Sequence, residues 1–185
     1  MYLSKLAYYA DFVLAPLLIV VLAATAPVWS STMAIGAWAG WIAAGFIAWT
    51  LLEYLVHRHV YHRLPYFKDI HDAHHAEPKA LIGAPPVVGL ALIMIVFYLP
   101  ALGFGYGAAS GFAIGGLAGY LAYMLLHHAA HHWQPATGSW LWLARRHHAL
   151  HHHASEEGNF GIVTSLWDHA FGTAVSGRRK PRRQW

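Results

Sequence analysis

Two long uncharged stretches alternate with two polar, histidine-rich ones along the chain. From Phe12 to Leu52 there is no Asp, Glu, Lys or Arg. One membrane span takes about 20 residues, so this stretch is long enough for two. Pro27 and the Ser30-Ser31-Thr32 run divide it. The pattern predicts a first span over about residues 8–28, with Pro16 as a kink point, and a second over about 33–55. Counting histidine as neutral, a second uncharged stretch runs from Ala80 to Ala144 and breaks at Phe104-Gly105-Tyr106-Gly107. It predicts a third span over about 87–103 and a fourth over about 108–126. Their connection is short enough to force an antiparallel pair, or a shallow re-entrant hairpin. Gly36-x-x-x-Gly40 and Gly115-x-x-x-Gly119 are small-residue patterns of the kind that bring membrane helices close together.

The polar stretches grow out of the spans. The second span runs without a break into Glu53, His57 and His62, so its helix projects past the hydrocarbon and stops near Leu64-Pro65. Residues 66–79 read as a short helix outside the lipid, and Ala84-Pro85-Pro86 leads back in. Residues 135–138 read as a loop. Trp133, Trp140 and Trp142 look like an interfacial aromatic belt. The expected architecture is a single all-α membrane domain over residues 1–185. It has four transmembrane helices and a cytoplasmic helical cap (parts 53–79 and 127–173) that carries a histidine-rich dinuclear metal site, followed by a basic tail over 174–185.

Composition agrees with a membrane protein: 57% of residues are hydrophobic and only 11% are charged. The formal charge of +4 does not suggest nucleic acid, because the basic residues flank apolar spans. The absence of cysteine excludes disulfides, zinc–thiolate sites and iron–sulfur clusters. The start, from Met1 to Phe12, lacks the pattern of a cleaved signal peptide. Residues 27–32 and 104–110 contain no Lys or Arg, while Lys5, Arg58, Arg63, Lys68, Lys79, Arg145, Arg146 and the Arg178–Arg183 tail fall on the other side. The positive-inside rule then puts both termini in the cytoplasm. The same topology puts every histidine cluster on that face.

Those clusters hold fifteen of the sixteen histidines, leaving out only His169. Imidazole is the commonest protein metal ligand. Residues at i, i+3 and i+4 share a helix face. His71, His74 and His75 have that spacing, as do His148, His151 and His152. His127 pairs with His131 at i, i+4, and His128 with His132. Such a triplet can give two imidazoles to one ion and one to its neighbour. His57 and His62 are five apart, about 7.5 Å of axial rise, which suits a helix supplying ligands to two different ions. Adjacent histidines point about 100° apart, so only some of His127/His128, His131/His132, His147/His148 and His152/His153 can coordinate. The lone His59 and His169 read as non-ligands. Metal-bound imidazoles pass their second N–H to a carboxylate or carbonyl. Glu53, Asp72 and Asp168 are the candidates, with Glu156 and Glu157 as exposed alternatives. No H-E-x-x-H is present.

The order H-x4-H, H-x-x-H-H, H-x3-H, H-x-x-H-H on a four-span bundle resembles the fatty acid hydroxylase superfamily. Tyr123, four residues before His127, adds to the likeness. So do Asn159-Phe160-Gly161 and Trp167-Asp168-His169-Ala170-Phe171-Gly172-Thr173, which look like the closing blocks of that family. The resemblance covers about Glu53 to Thr173. It implies ligands His57, His62, His71, His74, His75, His127, His131, His148, His151 and His152, with His128 and His132 as register alternatives and Tyr123 close by. It also implies two iron ions, with zinc in their place in a purified sample, and O2 as co-substrate. The activity implied is hydroxylation or desaturation of a lipid C–H bond, with electrons from a separate ferredoxin or cytochrome-type donor. The short step from His62 to His71 leans towards a compact form, of a bacterial inner membrane or carotenoid-hydroxylase-like, while the Trp167–Thr173 block leans towards the fatty acid and sterol branch. A non-enzymatic metal carrier is the alternative from another class. It would line the spans with ionisable groups, which the middles of the first three lack.

Overall fold

A computed structural model describes residues 1–30, 33–155 and 157–176. Most of the basic tail, including the Arg178–Arg183 run, lies outside the described residues, as do the Ser31-Thr32 pair and Glu156. Helix α1, Lys5–Ala24, starts where the Ser4 hydroxyl accepts the Ala7 N–H at 3.2 Å, and it carries Pro16 inside. Helix α2, Ile35–Val56, continues through a π-type turn at His57–Tyr61. Pro65 occupies the first turn of α3, Pro65–Ala76, where its missing N–H costs nothing. Pro86 does the same for α4, Pro86–Ile93. Beyond α4, a π turn at Met94–Tyr98, the short α5 at Leu99–Ala101 and a 3-10 turn at Leu102–Phe104 complete one apolar rod. The chain then reverses at Gly105, whose φ of 95° favours glycine. Helix α6, Tyr106–His132, follows, then α7, Trp140–His153, capped by the Ser139 hydroxyl, and the five-residue α8, Leu166–Ala170. The described residues form no strand; Tyr2 and Ile82 make one isolated antiparallel bridge.

Four of these rods are long and apolar enough to cross a membrane: Lys5–Ala24, Ile35–Tyr61, Pro86–Phe104 and Tyr106–His132. The protein is an integral membrane protein. Span one begins earlier than its hydropathy suggests, because the Ser4 cap draws Lys5 into the helix, and it ends earlier, at Ala24, ahead of the 3-10 turn that starts at Pro27. The helix of span two runs on into its histidines as its sequence suggests, and that of span four runs further than expected, to His132, because the histidines extend the helix instead of ending it. At 1.5 Å per residue α6 is about 40 Å long against a hydrocarbon layer of about 30 Å, so its histidine end stands clear of the lipid.

α6 is the central helix. In its most apolar stretch 56% of the residues are buried, against 11–17% for the other three spans. Glycine makes this possible. A Cβ on Gly115 would lie 2.1 Å from the Ile42 carbonyl oxygen, and one on Gly45 would lie 2.1 Å from that of Phe112. The Gly115/Gly119 pattern therefore marks a real close approach, between α6 and α2. Gly36 and Gly40 do not: nothing lies within 4 Å of a Cβ at either position, so that pattern faces outwards. Leu22, Ile93, Phe97, Ala113, Ile114 and Leu117 form the core between α1, the third span and α6. Leu6, Val13, Leu17, Val20, Ile47, Val87, Leu92 and Ile95 are exposed on the outer faces, where an aqueous surface would penalise them and lipid does not. The bundle leaves the ends of α2 and α6 side by side with α3 and α7 at one end, and every histidine cluster lies there.

Candidate metal centre

The ten histidines expected as ligands fall into two groups of five. One contains His57, His62, His71, His75 and His151, and the other His74, His127, His131, His148 and His152. Within each group one ring nitrogen per histidine lies within 4.8 Å of all the others. α3 and α7 each divide their triplet between the groups. The i, i+4 pair His71/His75 enters the first group with His74 in the second, and the pair His148/His152 enters the second with His151 in the first. α6 gives His127 and His131 to the second group.

α2 behaves differently from expectation. His57 and His62 both belong to the first group, rather than one to each. The π turn is the cause: it widens the winding to an i, i+5 repeat, so residues five apart share a face, and the two rings sit 5.2 Å apart. Packing separates the two histidine faces of α6. His128 turns towards α1, where its Nδ1 lies 3.1 Å from the Tyr8 hydroxyl, and it stacks on His132. His147 donates from Nε2 to Asp168 at 3.1 Å, and His169 hydrogen-bonds the Ser165 carbonyl of its own turn.

The nitrogens turned inwards are mostly Nε2. His57 and His71, His62 and His151, His71 and His75, His74 and His127, and His131 and His148 approach Nε2 to Nε2 at 2.9–3.2 Å. Neutral imidazoles carry one N–H each, so such a cluster offers several lone pairs to a common point. For His57 and His151 the tautomer is defined. Each donates Nδ1–H to a backbone carbonyl, His57 to Phe160 at 2.6 Å and His151 to Gly158 at 2.8 Å, which leaves Nε2 as a bare lone pair. Burial, reinforced by neighbouring imidazoles, keeps the rings neutral. His62, His75 and His151 are pushed down to about 4 and His74 to about 3. Buried nitrogens on His148 and His152 have no hydrogen-bond partner among the described residues. A set of converging, neutral, partly unpartnered imidazole nitrogens fits two cations and fits a histidine-only pair of iron or zinc ions.

The carboxylates work one layer further out than the sequence suggests. Neither Glu53 nor Asp168 receives an N–H from the ten. Buried Glu53 accepts the backbone N–H groups of Ile162 and Val163 through Oε1, at 2.5 and 3.1 Å. Asp168, fully buried, accepts from the Phe160 and Gly161 N–H groups, the Thr173 hydroxyl and His147. Burial opposes its ionisation, but these four hydrogen bonds outweigh burial and hold its carboxyl below the usual range. Both residues thus hold the turn that carries the two carbonyls. That turn is tight. Asn159 has a positive φ of 58°, and a Cβ on Gly161 would meet the Thr164 carbonyl oxygen at 2.1 Å. Asp72 instead makes an exposed ion pair with Lys68, and Glu157 is exposed. Tyr123 stacks on His127 with ring centroids 5.5 Å apart. The Phe160 and Gly158 carbonyls carry no side-chain signature. The turn-forming Gly158-Asn159-Phe160-Gly161 run straight after the last cluster was the one available signal.

This arrangement can be set beside known proteins. A family model described as fatty acid hydroxylase matches residues 42–173. The chain belongs to the fatty acid hydroxylase family. Human fatty acid 2-hydroxylase is 36% identical over 146 residues, covering 72% of this chain and 39% of that protein. Rat fatty acid 2-hydroxylase is 31% identical over 78% of this chain and 42% of its own. The chain thus spans about two fifths of the length of these curated relatives. A solved structure of full-length Scs7p, in which only the hydroxylase domain is visible, superposes with a TM-score of 0.77 at 25% identity. It covers 92% of this chain and 67% of that one. The family match takes in both groups of histidines, the Gly158–Val163 turn and Asp168.

Proposed function

We propose that this family member is a membrane enzyme that hydroxylates a fatty acyl chain at a pair of histidine-held iron ions. The observation that carries the reading is the division of ten histidines into two pentads at the end of an apolar bundle. When bound, the two ions supply O2-dependent oxidation of an unactivated C–H bond, with electrons from a separate ferredoxin or cytochrome-type donor. The residues that would hold them are His57, His62, His71, His75 and His151 for one, and His74, His127, His131, His148 and His152 for the other. The protein supplies placement and dryness. α2 and α6 carry their imidazoles up from the lipid, so an acyl chain entering between the spans meets the site without crossing water. Tyr123, flat against His127, walls the approach. The fatty acyl substrate class is favoured by the names of the relatives, and the basic residues beside the site favour a cytoplasmic location for it and for both termini.

The test is expression in a lipid-producing host followed by mass spectrometry of extracted and hydrolysed lipids. The expected product is a fatty acyl chain heavier by one oxygen atom. A product lighter by two hydrogens would make the enzyme a desaturase, and a hydroxylated carotenoid would move the substrate class. Metal binding with no lipid product would favour a carrier. His74→Ala and His151→Ala, one from each pentad, are each expected to lower metal content and abolish product.

A further inference from the structure

The two pentads differ in how they are held. In the first, two of the five rings are fixed from behind by backbone carbonyls: His57 by Phe160 and His151 by Gly158. Both carbonyls belong to one turn, and that turn is gripped from two sides. Glu53 lies one helical turn before His57. Its carboxylate takes the Ile162 and Val163 N–H groups, while the His57 imidazole gives its own N–H to Phe160. From the opposite side Asp168 takes the Phe160 and Gly161 N–H groups. Asn159 ties the turn on to the His147 carbonyl of α7 and to Val175. In the second pentad no ring has a backbone acceptor among the described hydrogen bonds. His148 Nδ1 and both nitrogens of His152 are buried without a partner, three nitrogens against the single His75 Nδ1 in the first pentad.

A ring whose tautomer and orientation are fixed before an ion arrives loses less freedom on binding. A hydrogen bond at the far nitrogen also strengthens the donor nitrogen. We infer that the pentads are unequal: the turn at Gly158–Val163, held by Glu53 and Asp168 as positioning residues, makes the His57/His62/His71/His75/His151 pentad the tight site and leaves the other as the exchangeable one. This inference rests on the reading of the ten histidines as a two-ion centre. It assigns the outer carboxylates to one ion of the pair.

Zinc(II) is the redox-silent probe, used on the full chain in detergent. The unmutated protein, loaded and then challenged with a chelator, is expected to release two zinc ions per chain in two phases. His127→Ala/His131→Ala, which breaks the second pentad, should retain the slow phase. His71→Ala/His75→Ala should retain only the fast phase, and its ion should bind at least about tenfold more weakly than the ion of the other double variant. Glu53→Ala and Asp168→Ala should each weaken the tight ion by about 10–100-fold and leave the weak one within about twofold. Glu53→Gln, which keeps an oxygen acceptor for the two N–H groups, should restore most of the loss. Cobalt(II) absorption bands of the tight site should shift in Glu53→Ala and return in Glu53→Gln, which a general loosening of the fold would not produce. Equal release of the two ions from the unmutated protein overturns the inference, as does equal weakening of both by Glu53→Ala. Failure of the unmutated protein to bind any zinc overturns the two-ion reading itself.

Discussion

An imidazole binds metal only as the neutral base, and the histidines of this centre are held neutral mainly by burial. The same shift makes the metal-free protein acid-sensitive. Unfolded, each histidine takes up its proton near its ordinary value of 6.5, whereas folded His62, His75 and His151 resist until about 4 and His74 until about 3. The unfolded chain therefore binds more protons between those limits, and stability present above about pH 6.5 drains away as the pH falls towards 4. Melting of chelator-treated protein in detergent should show a Tm that is flat above neutrality and drops steadily through pH 6 and 5. A Tm constant over that range would contradict the burial of these rings. At this scale the sequence displayed the ligand types but concealed their orientation. The spacing of His148, His151 and His152 announced a shared face. Nothing announced that His151 would be aimed by the Gly158 carbonyl, because a backbone acceptor is present at every residue and only the turn selects one.

Among the elements, hydrophobic length located all four spans, and the i, i+3, i+4 spacings gave the division of α3 and α7 between the pentads. The π turn at His57–Tyr61 was not legible. Hydropathy carries no record of a local change in helical winding, and five residues on an ordinary α-helix would have sent His57 and His62 towards different ions. The two glycine patterns make the same point. They are identical as sequence, yet Gly115 lies against the Ile42 and Phe46 backbone of α2 and Gly36 faces outwards, because only packing decides which helix face meets a neighbour. Gly115→Val is therefore expected to force α2 and α6 apart and lower stability by about 1–3 kcal/mol or more, while Gly36→Val changes it little. Paired thermal melts of the two variants check this. Equal losses would mean that α6 does not pack on α2 in this register.

For the molecule as a whole, four spans bring the first residues, the described end at residue 176 and all the histidines to one side. The first residues are tied there: Leu3 N–H donates to the Leu81 carbonyl at 2.8 Å, just beyond α3. Orientation follows from any one exposed position at each end, and the lack of native cysteine makes single reporters clean. In intact cells a membrane-impermeant maleimide should label Gly103→Cys, at the turn between the third and fourth spans. It should reach Lys79→Cys, beyond α3, only after permeabilisation. Labelling in the reverse order would place the histidines outside the cell.

α2 and α6 pass from lipid into the pentads as unbroken helices, with no loop to absorb movement between the two regions. Each is a lever whose long arm lies in the bilayer and whose short arm carries imidazoles. A thicker or thinner membrane changes the tilt of such helices at modest cost, and here a change of tilt shifts His57 and His62 relative to His127 and His131. A bilayer whose thickness tilted α2 against α6 would therefore be felt in the spacing of the two pentads.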